Sequence, residues 1–404
     1  MGTELLSFDD ARARLLDGVR ALGPERVPLS EAMGRVLAID LVAPGPLPPF
    51  DHSAMDGYAV ATRDLGGTGP WSLAVAGESG AGKPGPALER GSACRIFTGA
   101  PIPPGADAVV MQEHVARDGA TIRFDRPCRA GQHVRRAGED LAAGAHAIAA
   151  GSRLGAGGLA LAAMLGVCEV RVARRPRVTV VCTGDELRTP GDPHRPGSIF
   201  ESNSAALSAL ARQAGADVRV APIARDDPDA TGRAIEQGLE GTDVLLTVGG
   251  VSVGDHDVVR PALERAGVTL DFWRVAIKPG KPIAVGRRGS AYVVGLPGNP
   301  ASAIVTFAMF GMPLLRALQG DAQPVARGLR ARIETERKRS PDRLEMVRAT
   351  LAVADGVLVA RAHDNQASGA ATSLAQSDGL ALVPPGEGLL AAGSLVDFVR
   401  WSDA

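Results

Sequence analysis

Residues Thr247–Asp257 read TVGGVSVGDHD and follow a short apolar run, Val244–Leu246, headed by Asp243. A β-branched run that ends in Gly249–Gly250 predicts a buried strand opening into a loop. Glycines there let backbone N–H groups come close to a ligand, and such donors suit phosphate oxygens. Ser252 adds a hydroxyl, and Asp255, His256 and Asp257 place acids and an imidazole at the loop mouth. The plainer alternative is a tight turn that caps a helix at Asp255 or Asp257.

The residues around this loop repeat its pattern. Val178–Cys182 ends in Thr183-Gly184-Asp185-Glu186, and Val218–Ile223 ends in Arg225-Asp226-Asp227-Pro228. Thr269–Ile277 runs into Lys278-Pro279-Gly280-Lys281-Pro282, and Ala291–Gly295 into Leu296-Pro297-Gly298-Asn299-Pro300. Helical patterns fill the gaps at 203–214, 228–240, 258–266 and 300–318. Strands alternating with helices predict a three-layer αβα domain around a mostly parallel sheet. In such sheets ligands sit beyond the carboxyl ends of the strands, which is where nearly all the charged and glycine-rich motifs fall.

The chain has 404 residues, enough for two to four domains. Lys+Arg 44 against Asp+Glu 45 gives no general field for nucleic acid or an anionic membrane. Aromatic residues are 3%, too few for base stacking as a binding mode. Cys94, Cys128, Cys168 and Cys182 show no CxxC spacing and read as buried small hydrophobes. The first residues lack a signal-peptide pattern, and no apolar run is expected to span a membrane, so a cytoplasmic protein is expected.

Upstream, Ser7 caps a predicted helix that carries Phe8, Ala11, Leu15, Leu16, Val19 and Leu22 to Gly23-Pro24. A short helix at Glu31–Met33 and a strand over Arg35–Val42 follow. The proline cluster 44–49 marks a boundary. Short apolar runs between Gly/Pro turns then predict a small β domain, and Gly151–Gly166 a helix. Five further strand patterns after Pro324 predict a second β domain.

Carboxylates recur at loop positions: Asp56, Asp140, Glu186, Asp226 and Asp257. Carboxylates and hydroxyls at strand ends suit Mg2+, which shares oxygen ligands with phosphates. Lys278 and Lys281 flank a Pro-Gly turn, and Arg274, Arg343 and Arg348 add forked donors, so an oxyanion and phosphate site with a divalent metal is expected. Each of these residues also has an ordinary reading. A loop aspartate commonly closes a turn, acids in Arg225-Asp226-Asp227-Pro228 complement a helix dipole, and Thr98-Gly99 forms a turn. His52 is read as structural.

Seven segments occur in order: PPFDHSAMDGYAV (48–60), RIFTGAPIPPGADAVVMQE (95–113), RRAGEDLAAG (135–144), CTGDEL (182–187), GGVSVGDHD (249–257), IKPGKP (277–282) and GLPGNPASA (295–303). Together they closely resemble the molybdopterin molybdenumtransferase family of molybdenum cofactor biosynthesis, akin to the C-terminal domain of gephyrin. The resemblance covers essentially the whole chain. It implies an αβα domain from 1–23 and 174–325, a connecting domain from 24–45 and 147–173, an inserted β-rich domain at 46–146, and a C-terminal β-barrel-like domain at 326–404. It implies a homodimer whose site lies between the αβα domain of one subunit and the inserted domain of the other. The activity it implies is insertion of molybdate into adenylylated molybdopterin with release of AMP, with Mg2+ as cofactor and the molybdopterin adenylyltransferase as a further partner.

Carried over by position, Asp56, Thr98, Asp140, Glu186, Asp226, Asp257 and Lys278 match the family's functional residues. Glu186, Asp226 and Asp257 match its metal carboxylates. Gly249, Gly250, Ser252, Arg274, Lys281, Pro297, Asn299, Arg348 and Ser368 are the implied substrate contacts. His52 stands where asparagine is common, and Arg274 where lysine is frequent. Two other functions weighed against this one are an adenylyltransferase that makes the substrate and a scaffold of the gephyrin type.

Overall fold

Val178, Val180 and Cys182 face one side of their strand and Val181 the other, and Val244, Leu246 and Val248 alternate with Leu245 in the same way. This period of two, apolar on both faces, requires cover on both sides of the sheet. The computed structural model, which describes residues 5–250 and 258–403, supplies it. The sheet comprises β1 (Arg177–Cys182), β2 (Asp217–Val220), β3 (Val244–Val248), β4 (Thr269–Arg274), β5 (Pro282–Arg288) and β6 (Ala291–Leu296), in the order β2-β1-β3-β6-β5-β4. The first four in that order are parallel, and β5 and β4 are antiparallel.

Helices α1 (Phe8–Leu16), α2 (Asn203–Gln213) and the long α5 (Pro300–Leu318) cover one face; α3 (Pro228–Leu239) and α4 (Val259–Arg265) cover the other. Asp227 caps α3 by accepting N–H bonds from Asp229 and Ala230, with Pro228 at the first turn. Within α5, a π turn spans Phe307–Gly311. Pro313 lacks the N–H that the helix ladder needs, and the chain widens by one residue just before it. Phe307 and Phe310 are fully buried there, so truncating either to alanine costs about 3–5 kcal/mol. The helix α5 is long and apolar enough to cross a membrane, contrary to the expectation that no such run exists. However, 83% of its apolar window is buried, because it is the central core helix of this layer.

Residues Pro24–Pro28 pair antiparallel with Glu169–Ala173, and Leu41–Val42 with His146–Ile148. These pairs enclose a small core of Val27, Leu37, Leu154, Val170 and Val172. Between the second pair of strands lies a six-stranded sheet, in the order Ala108–Met111, Gly57–Val60, Ser92–Ile96, Trp71–Ser79, Thr121–Phe124, Ala116–Asp118. The last region closes a five-strand barrel: Leu344–Ala354, Val357–Ala362, Leu329–Ile333, Leu395–Arg400 and Gly379–Val383, the last pairing back to the first.

Some local expectations change. The first helix ends at Leu16 rather than reaching Leu22, since Asp17 is extended and Gly18 turns with φ +65. The short helix is a 3-10 turn at Leu29–Glu31, not Glu31–Met33, and Ser30 does not cap it. The Arg35–Val42 run forms isolated bridges at Val36 and Leu37 and a strand only at Leu41–Val42. Cys94 and Cys182 are buried as expected, but Cys128 is half-buried and Cys168 is exposed.

Candidate active site

At the carboxyl ends of the parallel strands the ladder continues one residue past each strand. The Thr183 N–H donates to Val248 O at 3.0 Å and the Gly249 N–H to Leu296 O at 3.1 Å. Gly249 then turns with φ +97 and Gly250 with φ +61. A side-chain carbon on Gly249 would lie 2.8 Å from Thr183 O and 2.9 Å from Thr183 Oγ1, so only glycine fits. A side-chain carbon on Gly298, just past Pro297, would lie 3.6 Å from Gly249 Cα. Asn203, at the start of α2, donates from Nδ2 to Gly298 O at 2.8 Å. Among the described residues the Asn203 Oδ1 and the Thr183 Oγ1 are buried without partners. A cleft floored by unpaired acceptors and rimmed by glycine backbone is suited to a polar ligand.

Two predicted acids stand on neighbouring loops on the β1–β2 side of this cleft. Thr183 bridges to Ala224, which brings the loops after β1 and β2 side by side. Asp226 Oδ2 accepts the Asp185 N–H at 3.4 Å, while Asp227 takes the helix cap. The Glu186 side chain curls back so that Oε2 hangs over Gly184. Asp226 and Glu186 are both exposed. Two carboxylates with open oxygen positions fit Mg2+, which keeps several waters and shares phosphate ligands. Among the described residues no three His, Cys, Asp or Glu side chains cluster for a metal; the expected third acid, Asp257, lies outside the described residues, as does Ser252.

The predicted basic residues lie on the other side, on the 274–281 segment and the barrel strand that pairs with it. Ile277–Lys278 pairs in parallel with Leu344–Glu345, and Lys278 Nζ bonds Glu345 Oε1 at 3.2 Å. Arg348, on the same strand, is 0% exposed. Its Nε donates to Ser373 Oγ at 2.8 Å and its Nη2 to the carbonyls of Ala367 (3.0 Å) and Asn365 (3.3 Å), while Nη1 has no partner. Burial holds its pKa below the usual guanidinium value. No carboxylate neutralises it among the described residues, and a buried, uncompensated cation is costly unless an anion completes it. The adjoining Ser368 accepts the Ala301 N–H at 3.0 Å through its carbonyl, which ties this loop to Asn299 and the start of α5. Lys281 and Arg274 flank the same turn, where the Val275 N–H donates to Lys281 O at 3.1 Å.

The inserted domain holds the remaining residues. Asp56 accepts from both the Thr98 N–H and Oγ1–H at 2.8 Å. These two donors, the backbone one first, hold the Asp56 carboxyl below its usual range, and Arg95 adds to the effect. Asp51 accepts from Arg136 Nη1 (2.6 Å) and the Ala137 N–H (2.8 Å), fastening the 135–140 loop that exposes Asp140 beside the Phe50–Asp56 turn. His52 Nδ1 lies 3.4 Å from the Phe50 carbonyl, its ring packs edge-on to Phe50, and its backbone pairs with Arg135. Among the described residues no hydrogen bond or ion pair links Asp56, Thr98 or Asp140 to the cleft of the same chain. Three contributors escaped the sequence reading: Thr183, Asn203 and Glu345. Thr183 sits in the CTGDEL segment and Asn203 at the start of a predicted helix, but only the fold shows their unpaired atoms.

Glycine turns and exposed carboxylates at the carboxyl ends of a mostly parallel sheet are the arrangement of a ligand-binding α/β enzyme domain. Family models match along the chain: the MoeA N-terminal region (domain I and II) over residues 6–166, a probable molybdopterin binding domain over 179–317, and the MoeA C-terminal region (domain IV) over 330–401. Molybdopterin molybdenumtransferase 2 of Mycobacterium tuberculosis is 41% identical over 76% of this chain and 78% of that protein. The molybdopterin molybdenumtransferase of Synechococcus elongatus is 37% identical over 97% and 99%. The crystal structure of a molybdopterin biosynthesis MoeA protein from Pyrococcus horikoshii superposes with a TM-score of 0.84 at 30% identity, covering 98% of this chain and 99% of that one. The chain belongs to the molybdopterin molybdenumtransferase family and is a transferase.

Proposed function

We propose that this protein inserts molybdenum into adenylylated molybdopterin, releasing AMP and giving molybdenum cofactor. The observation that carries this reading is Arg348, a fully buried guanidinium with an unpaired Nη1 and no carboxylate, placed beside Ser368 and the rim of the strand-end cleft. Its uncompensated charge favours an anion at this seam, and molybdate is the anion this reading supplies. Lys278, with Lys281, Arg274 and Arg348, draws molybdate into the seam as fixed positive charges. Gly249, Gly250 and Ser252 hold the pterin-side phosphate through N–H and hydroxyl donors, and Pro297 and Asn299 complete that rim. Glu186 and Asp226, with Asp257, would hold Mg2+, which when bound polarises the pyrophosphate as a Lewis acid. The dithiolene sulfurs of the ligand take the molybdenum, so the scattered cysteines need no role.

Among the described residues no hydrogen bond or ion pair ties Asp56, Thr98 or Asp140 to this cleft in their own chain, which supports a homodimer in which the partner subunit's inserted domain brings them to it. There Asp56, kept ionised by Thr98, orients water or the pterin. A cytoplasmic location and delivery of substrate by a molybdopterin adenylyltransferase fit the same scheme. The test is AMP release from adenylylated molybdopterin in the presence of molybdate and Mg2+. Wild-type protein releases AMP, and Asp56→Ala folds normally but does not. Pyrophosphate formation from ATP and molybdopterin, without AMP release, would instead identify an adenylyltransferase.

A further inference from the structure

Glu345 is a conspicuous acid in a basic seam. It is only 8% exposed, and its sole side-chain partner among the described residues is Lys278, whose side chain is 55% exposed. The backbone fixes the pairing, because Lys278 stands opposite Glu345 in the parallel register and the Leu344 N–H donates to Ala276 O at 2.9 Å. Arg343 leans toward Asp342 at 3.6 Å, and Arg348 is uncompensated three residues further along. A buried carboxylate at this point opposes the field that would gather an anion. It keeps its stabilising partner only while Lys278 stays on it.

We infer that Glu345 is a positioning residue: it parks Lys278 until an oxyanion competes for that ammonium, and so sets how tightly the seam holds molybdate. The inference rests on the reading of the seam as the molybdate site. Lys278 with no counter-charge would bind a dianion tightly and release it slowly. The acid paired with it makes each capture an exchange, with Glu345 giving up Lys278 on arrival and regaining it on departure.

The test measures AMP release by the full chain while molybdate is varied at saturating adenylylated molybdopterin, and then the reverse. Glu345→Gln keeps shape and removes charge. The half-saturating molybdate concentration should fall by roughly three- to tenfold, the range of an ion pair with one buried partner. The half-saturating concentration of the pterin substrate should not move. In a Lys278→Gln background the same change should do nothing. Glu345→Asp, which retains charge but draws it back from Lys278, should give a smaller fall and serves if Gln weakens the strand. An unchanged or raised molybdate requirement in both variants overturns the inference, as does a fall that persists without Lys278. A shift confined to the pterin substrate also overturns it, because Lys278 would then serve phosphate. If wild-type protein releases no AMP, the proposed function itself fails, and this inference with it.

Discussion

Replacing Gly249 by alanine tests the geometry of the cleft at its tightest point. The residue sits at φ +97, where a side chain costs about 1–2 kcal/mol. Its new methyl would meet Thr183 O at 2.8 Å and Thr183 Oγ1 at 2.9 Å. Thr183 cannot retreat freely, because its N–H is bonded to Val248 O across the β1–β3 ladder. Overpacking of this kind adds about 1–3 kcal/mol, and the reduced freedom of the unfolded chain returns about 0.4–1 kcal/mol. The net expectation is a loss of roughly 1–4 kcal/mol in a denaturant titration, together with loss of AMP release. Gly298→Ala is the matched control. Its φ lies outside the left-handed region and its nearest contact is Gly249 Cα at 3.6 Å, so it should be neutral or slightly stabilising. Activity should still fall, since the methyl crowds the same rim. A Gly249→Ala protein as stable as wild type to within about 0.5 kcal/mol would refute the close approach of these loops.

Three other substitutions probe separate parts of the site and its frame. Thr98→Val removes one of two donors to Asp56, so the Asp56 pKa should rise toward the ordinary aspartate range without reaching it, as read by carboxyl NMR titration; an unmoved titration would mean that the hydroxyl bond is absent in solution. Lys278→Ala should raise the molybdate requirement for AMP release more than it weakens binding of the pterin substrate, and equal effects on the two would count against its role. Asp243→Asn should cost about 1–3 kcal/mol at neutral pH, because it breaks the paired 2.7 Å bonds to Arg174 and the bond from the Arg177 N–H. Burial alone would raise the Asp243 pKa, but these donors outweigh it and hold the value low. The Asp243 contribution is therefore present above the unfolded value and lost as pH falls through the lowered folded one. The gap between wild type and Asn should close in acid, and a constant gap in urea titrations would exclude the ionised pair as its source.

Much of the αβα layer could be read from spacing alone, because a strand buried on both faces has few alternatives once helical periods flank it. The sequence reading assigns no element to β5, whose apolar residues follow directly on the IKPGKP turn. The signal was present, since Gly289 at φ +59 separates two apolar runs and marks a hairpin. Asp226 and Asp227 show how position divides alike residues. Asp227 took the ordinary capping role weighed for this pair, and Asp226 was left facing the cleft. Arg348 was visible as a charge but not as a buried one. Glu345 was not singled out, because its meaning depends on a strand pairing with Lys278, far away in sequence. Periodicity reports what a residue's neighbours along the chain require, whereas the cost of an unpaired charge is set by neighbours across space.

The edge-on contact of Phe8 with Phe310, ring centroids 5.4 Å apart, couples the earliest helix to one of the last core elements. At usual synthesis rates of about 5–20 residues per second, α1 leaves the ribosome tens of seconds before its mate exists. Joining such distant ends adds little entropy cost, since closure grows only with the logarithm of loop length. The delay is the larger burden, for Phe8, Ala11 and Leu15 must stay wetted throughout it. Asp9, Asp10, Arg12 and Arg14 on the same short helix keep the nascent segment soluble until α5 arrives to claim it.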